Sequence, residues 1–520
     1  MAPKRDFSKG TAIVWLRRDL RLADHEALLQ ASRDFDHVIP VFVLFEDSFS
    51  LPNTPTTKNS ANSAYSNASC SWPLGAAQRW WLHHSLKQLD KDLNEYGSRL
   101  IFRQGDPVKE IVALVKETGA SAVFWHRIYE AQIAAIDDGV VKGLQAVGCK
   151  AFPKGGDLLC EPDMLRAADG EPFKIFMPFW RCLVKTMAES GEAKGEANGE
   201  GYKKTLDPRP APAAIPPPLV WPRSIELRDL YLDPRGKWTF SIAEAWVPGE
   251  AGAKARLKEF NKGFDKTLNT EKVGRLSPHL HFGEVSVKQI LGAGTAGGAP
   301  ELGWREFARH GLWRFPEGAR SAIRPECEGA LGRDGAPAAA QGALNLNAWQ
   351  QGQTGYPVVD AAMRELWKSG WMDNRLRTLT AAFAVKYLGI HWLQGAQWFW
   401  DALVDADLAI NTVVWQGAAG CGFESAGDFR VFNPVLQGRR FDPDGLYVKR
   451  WVPELKHLPA KFIHAPWEAS EAELLRGRVI LGDNYPKTVV DPEKGRKLAL
   501  EALKTLKNIQ ITTKLSNTSG

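Results

Sequence analysis

The apolar positions of the chain change period about halfway along it. Between residues 11 and 152, short runs rich in β-branched and aromatic residues alternate with longer amphipathic stretches. Strands are predicted at 11–17 (TAIVWLR), His37–Phe45, Arg99–Arg103, Ala122–Trp125 and Lys150–Phe152. Helices are predicted between them at 25–33, 76–95, 107–118 and 130–146. Strand and helix in strict alternation argue for a doubly wound, parallel α/β sheet, which binds ligands beyond the carboxyl ends of its strands. From about residue 250 the period becomes helical. Residues 367–415 read as helix, short break, helix, with Leu376, Leu379, Phe383 and Tyr387 at three- and four-residue spacing.

Polar residues interrupt that second, helical region where an apolar face is expected: Asn374, Arg377, Asp405, Asp407 and Asn411, with Trp392 and Trp415 among them. On pattern alone the simplest account is an all-α core with charges at helix ends. A buried Arg377–carboxylate pair is the alternative, tolerable only where hydrogen bonds or a polar ligand offset desolvation.

Two soft stretches punctuate the chain. Residues 47–74 are rich in Ser, Asn, Thr and Pro and read as an insertion, and 186–224 run from a Gly/Glu segment into a proline-rich one. The organisation predicted is an α/β domain at 1–185, a linker at 186–224, a mostly α-helical domain at 225–505 and a polar tail at 506–520. A third stretch, 325–345, is Ala/Gly-rich and reads as a surface loop.

Composition narrows the chemistry. A chain of 520 residues with 24% charged positions and a net charge of +6 is ordinary for a globular protein and compatible with a polyanionic partner. Six dispersed cysteines without a CxxC pair argue against a disulfide framework, a zinc site or a cysteine-ligated cluster, so no metal is expected. No apolar run is long enough to span a membrane and the N-terminus lacks a secretory signal, so a soluble intracellular protein is expected. No GxGxxG follows a predicted strand, and no GxxxxGK[ST] occurs.

Four stretches, GWMDNRLR (370–377), TGYPVVDAAMRELW (354–367), LVDADLAIN (403–411) and FDPDGLYVKRWVPEL (441–455), together resemble the flavin-binding half of the photolyase/cryptochrome family. WLRRDLRLADHEAL (15–28) resembles the opening strand and turn of that family's antenna domain. The resemblance implies FAD in a helical pocket and UV-damaged DNA as partner, the chain acting as a monomer. It further implies repair of cyclobutane pyrimidine dimers by an electron from excited reduced flavin. The other role it allows is a cryptochrome-type blue-light receptor without repair activity.

Residue by residue, the resemblance places Asn411 at the flavin N5 edge, Arg377 with Asp405 beside the ring, and Asp407 close to it. Leu276 and Ser277, in RLSPHLHFGEVSVKQI (275–290), fall on the segment that wraps the flavin phosphates. The family's Thr-Ser there is Val273-Gly274 here, leaving Arg275 or Lys272 to supply charge; Ser277 alone could equally cap a helix. Glu301, Trp304 and Arg305 fall on one face of the segment that lines the lesion cavity, with Arg305 contacting lesion or cofactor. Asn374 and Arg375 match an Asn-Arg pair near the lesion, where a (6-4) enzyme would carry histidine.

Trp415 and Trp392 align with the proximal and middle members of an electron relay, whose distal position is Ala339. That substitution predicts slow photoreduction, or exit through Tyr387 or Trp398. Gly417 and Thr378 stand where a stacking aromatic and a methionine are usual. WHRIYEAQ (125–132) resembles the antenna-proximal segment, but Gln132-Ile133 replaces the Asn-Glu used for folate. A second, antenna chromophore, if bound, is therefore a deazaflavin or another flavin rather than a folate.

Overall fold

The computed structural model describes residues 10–45, 72–167, 169–189, 208–234, 236, 238–260, 268, 275–293, 299–327, 339–423 and 431–518. Most of the 47–74 insertion, residues 190–207 of the expected linker, and Lys272, Val273 and Gly274 lie outside them.

Five runs form strands: β1 (Thr11–Leu16), β2 (His37–Leu44), β3 (Ile101–Gln104), β4 (Ala122–His126) and β5 (Lys150–Lys154). They make one sheet in the order β3-β2-β1-β4-β5, every pair parallel. Parallel strands covered on both faces are apolar throughout rather than alternating, and β1 and β2 are buried except at their first residues. Pro40 sits within β2 without breaking it. Val38 gives its N–H to Pro216 O, away from β1, so the absent Pro40 N–H points to the same side. Pairing with β3 starts only at Val41, so no ladder bond is lost there.

The helices α1 (Glu26–Asp34), α2 (Ala76–Glu95), α3 (Pro107–Thr118) and α4 (Ala131–Ala146) alternate with the strands as the sequence predicts. Asp106 caps α3 ahead of Pro107, and Gly119 ends it in the left-handed region at φ 65°. The core of this layer gathers Ile13, Trp15, Val41, Ile101, Leu114, Val123 and Trp125.

The proline-rich 208–224 stretch differs from the free linker read in the sequence. Besides Pro216, Ile225 N–H reaches Phe102 O at 3.1 Å and Phe102 N–H reaches Ser224 Oγ at 2.9 Å. The segment thus covers the outer strand β3, whose edge would otherwise expose unpaired peptide groups.

The chain separates into two compact units, Met1–Thr239 with Trp246–Asn261 and Gly274–Pro316, and Phe240–Ala245 with Lys262–Val273 and Glu317–Gly520. The division therefore falls later than the break read at 186–224. The second unit is helical. Residues 370–420 break twice rather than once, giving helices Asn374–Lys386, Trp392–Ala402 and Leu408–Ala419. One further expectation is corrected. A helix at Ala339–Gln350 occupies part of the supposed 325–345 loop, and the helix Pro492–Thr518 continues into the polar tail at 506–520.

Candidate functional site

Each of the helices Asn374–Lys386, Trp392–Ala402 and Leu408–Ala419 opens on a side chain that binds its free N–H groups. Asp373 accepts from Arg375 N, His391 from Leu393 N, and Asp407 from Ile410 N at 3.0 Å. Asp407 thus has a clear structural task at the head of Leu408–Ala419. Between the second and third helices the chain turns through Leu403–Asp407, which delivers Asp405 to Arg377.

Arg377 Nη2 donates to both Asp405 oxygens, at 3.0 and 2.8 Å, while its Nε donates to Met372 O at 2.8 Å. Both residues are buried, 9% and 5% exposed. The ion pair read as one option in the sequence is therefore present and desolvated. Asn411, on the next helix, gives Nδ2 to Ala396 O at 3.1 Å. A carbonyl can only accept, so this bond fixes the amide orientation and turns Oδ1 away as an open acceptor. No described group donates to that oxygen.

Trp415 is fully buried, with Phe399 at 5.1 Å and Trp349 at 5.9 Å between ring centroids, both edge-on. Its Nε1–H has no hydrogen-bond partner among the described residues. Gly395 makes room for the ring, since a Cβ there would lie 2.0 Å from Trp415. Trp349, fully buried and bonded through Nε1 to Thr380 O at 3.2 Å, is a wall of this site that the sequence did not single out. Trp392 is buried too, at 2%. Of the two alternative exits, Tyr387 is buried, whereas Trp398 stacks on Trp367 at 5.6 Å, itself 53% exposed.

An ion pair shielded from water, an unclaimed amide oxygen and an unpartnered indole N–H fit a planar, partly anionic heterocycle such as flavin. Arg377, Asp405, Asp407 and Asn411 would hold it.

Asn374 is exposed on the first turn of its helix. Arg375 beside it is clamped on Asp373, with Nε and Nη2 each 2.9 Å from a carboxylate oxygen, so its charge is already paired. At Gly417 a Cβ would meet nothing within 4 Å; space is open where the stacking aromatic was expected.

The other candidates lie in the first unit. Ser277 does not cap its helix. The helix Ser277–His281 starts at Ser277 with Leu276 in the cap position and no side-chain cap bond. On the helix Ala299–Arg314, Glu301 and Trp304 are exposed but Arg305 is not. Its guanidinium, 5% exposed, pairs with Asp157 and sits 3.1 Å from Glu306 Oε1. The shared face of Glu301, Trp304 and Arg305 is therefore corrected to the first two. Helical spacing could not reveal Arg305's partner, because Asp157 is 148 residues away. Burial raises the Glu306 carboxyl to about 7, against the opposing pull of Arg305.

Asp19, His25 and His126, at the carboxyl ends of β1 and β4, bring three ligand-type atoms within 4.8 Å of one another. His25 Nδ1 already accepts Leu28 N–H at 3.0 Å, so its neutral ring carries the proton on Nε2, 3.0 Å from Asp19. That nitrogen has no lone pair to give a cation. Burial lowers His25 to about 4, keeping the ring neutral.

Comparison with known proteins finds relatives along almost the whole chain. The family model of the FAD binding domain of DNA photolyase matches residues 299–505, and that of DNA photolyase matches 12–197. A deoxyribodipyrimidine photo-lyase of Agrobacterium fabrum is 37% identical, over 95% of this chain and 98% of its own length. Cryptochrome-1 of Arabidopsis thaliana is 34% identical, over 99% of this chain and 73% of its own. The crystal structure of a bacterial class III photolyase from Agrobacterium tumefaciens superposes with a TM-score of 0.82 at 35% identity, covering 98% of this chain and all of that one.

Proposed function

The chain belongs to the DNA photolyase and cryptochrome family, and from that premise we propose that it repairs cyclobutane pyrimidine dimers in DNA under light. Reduced FAD supplies the excited electron when bound. The electron returns after the cyclobutane opens, so repair is redox-neutral: two C–C bonds break and two C=C bonds re-form.

The observation that carries the reading is Asn411, whose amide is pinned by Ala396 O with Oδ1 open. A neutral amide oxygen accepts a ring N–H and gives up no proton, whereas an acid at this position would supply one and divert the electron. Arg377 balances negative charge on the reduced ring, and Asp405 keeps Arg377 in place. Glu301 hydrogen-bonds a carbonyl of the extruded base and Trp304 stacks on it. Among the described residues no helix is long and apolar enough to cross a membrane.

The test is illumination of the purified, reduced protein with a dimer-containing oligonucleotide while thymine absorbance is followed. Recovery of that absorbance supports repair. Stable flavin cycling without recovery supports a blue-light receptor instead, the second reading, which the open space beside Gly417 and the cryptochrome likeness favour.

A further inference from the structure

The helix Phe176–Glu189 (α5) carries an aromatic and a cationic side that nothing above uses. Phe176 lies flat on Trp304, with ring centroids 4.1 Å apart and planes within 7°. On the same helix side Trp180 stacks on Phe176 at 6.2 Å and 18°. Gly303 admits that third ring, because a Cβ there would sit 2.6 Å from it. The stack ends on an indole 41% exposed, with one face already covered by Phe176. A base can add only to the other.

Beside this stack, Met177, Arg181 and Lys185 follow at four-residue spacing, which sets them along one side of the helix, Lys174 stands two residues ahead of its first turn, and all four are exposed. Among the described residues Lys174 and Arg181 have no acidic partner. Lys185 reaches Glu189 at 3.7 Å on an open surface, a pairing too weak to neutralise it. Ile175 and Met177, 58% and 50% exposed, lie among these charges. Unneutralised cations in a line beside a base-sized stacking surface match a nucleic-acid strand, with phosphates on the cations and bases on the rings.

We propose that α5 is a ledge that tracks the phosphates of one DNA strand toward Trp304, and that Phe176 is a positioning residue holding that indole flat. The inference rests on the repair reading, and its test separates the two. The affinity of the full chain for single-stranded oligonucleotides, with and without a thymine dimer, is measured across a salt series.

Three lost phosphate contacts in K174A/R181A/K185A should reduce the slope of log K against log salt by about 2, leaving dimer preference unchanged. Phe176→Leu should weaken binding of the dimer-containing strand about tenfold, with Phe176→Tyr restoring it and melting temperature reporting on folding. An unchanged slope in the triple variant, while the parent protein still prefers dimer-containing DNA, overturns the ledge and leaves repair standing. A triple variant whose loss appears only with phosphatidylserine vesicles overturns it in favour of a lipid surface. A parent protein without dimer preference overturns both.

Discussion

Two buried polar clusters, one in each compact unit, differ in what their charged groups are tied to. Where β1 and β4 end, Asp137 accepts from Arg17 at 2.6 Å and from Trp125 at 3.1 Å. Asp19 there takes Arg17 N–H at 2.6 Å and faces two imidazoles. In the helical unit, Arg377 and Asp405 neutralise each other, but Asn411 Oδ1 and Trp415 Nε1–H are left open. A buried polar group without a partner costs about 1–3 kcal/mol. Both clusters keep such groups, Trp15 Nε1 and Arg17 Nε in the first and Trp415 Nε1 in the second, so what sets the second apart is the open acceptor Asn411 Oδ1. The first cluster orders a loop, and the second holds the open acceptor on which the proposed flavin contact rests.

The sharpest way to break that contrast is Asp405→Ala, which strands Arg377 in the interior. Removing one partner of a buried pair costs about 3–5 kcal/mol, so denaturant unfolding should show a loss of that size together with loss of bound flavin. Retention of both would mean that the pair neither stabilises the helices nor faces the cofactor. Glu301→Ala should lower the repair rate by about a hundredfold while the flavin absorption spectrum keeps its shape, since Glu301 lies on another helix from Arg377 and Asn411. A changed spectrum would place Glu301 at the cofactor rather than at the base.

Gly395→Ala drives a methyl into Trp415 and should cost about 1–3 kcal/mol in thermal unfolding, with slower photoreduction after flash excitation. Normal photoreduction would remove Trp415 from the electron path. A pH-dependent effect concerns Glu306. Its folded-state pKa, about 7, lies above the ordinary value of 4.5, so the folded form holds the proton more tightly. Its contribution to stability is complete below about pH 4.5 and is lost as pH rises through 7. Melting curves should show Glu306→Gln gaining on the parent protein across that window; parallel curves would contradict the burial assignment.

Of the four motifs that carried the family resemblance, two supply the candidate site residues and two build turns. GWMDNRLR and LVDADLAIN supply Arg377, Asp405 and Asn411. In TGYPVVD, Asp360 is completely buried and accepts from Thr354 N, Gly355 N and Tyr485 OH. In FDPDGLYV, Asp442 accepts from Tyr447 N and Val448 N around Gly445, whose φ is 68°. Motif strength alone does not tell a carboxylate that meets a ligand from one that ties a loop. Both must be buried, and both need the same residue type.

What the sequence determined unaided is what depends on neighbours along the chain. Strand and helix periods, the caps at Asp106 and Asp373, and the apolar faces at Leu376, Leu379 and Phe383 are set within one or two turns of backbone. What only the tertiary structure decided is where a side chain meets something remote. Arg305 went to Asp157, the proline-rich segment docked on β2 and β3, and Ala396 O turned the Asn411 amide so that its oxygen stayed open. Hydrogen bonds and ion pairs act only over a few ångströms, so partners distant in sequence are chosen when packing brings their elements together.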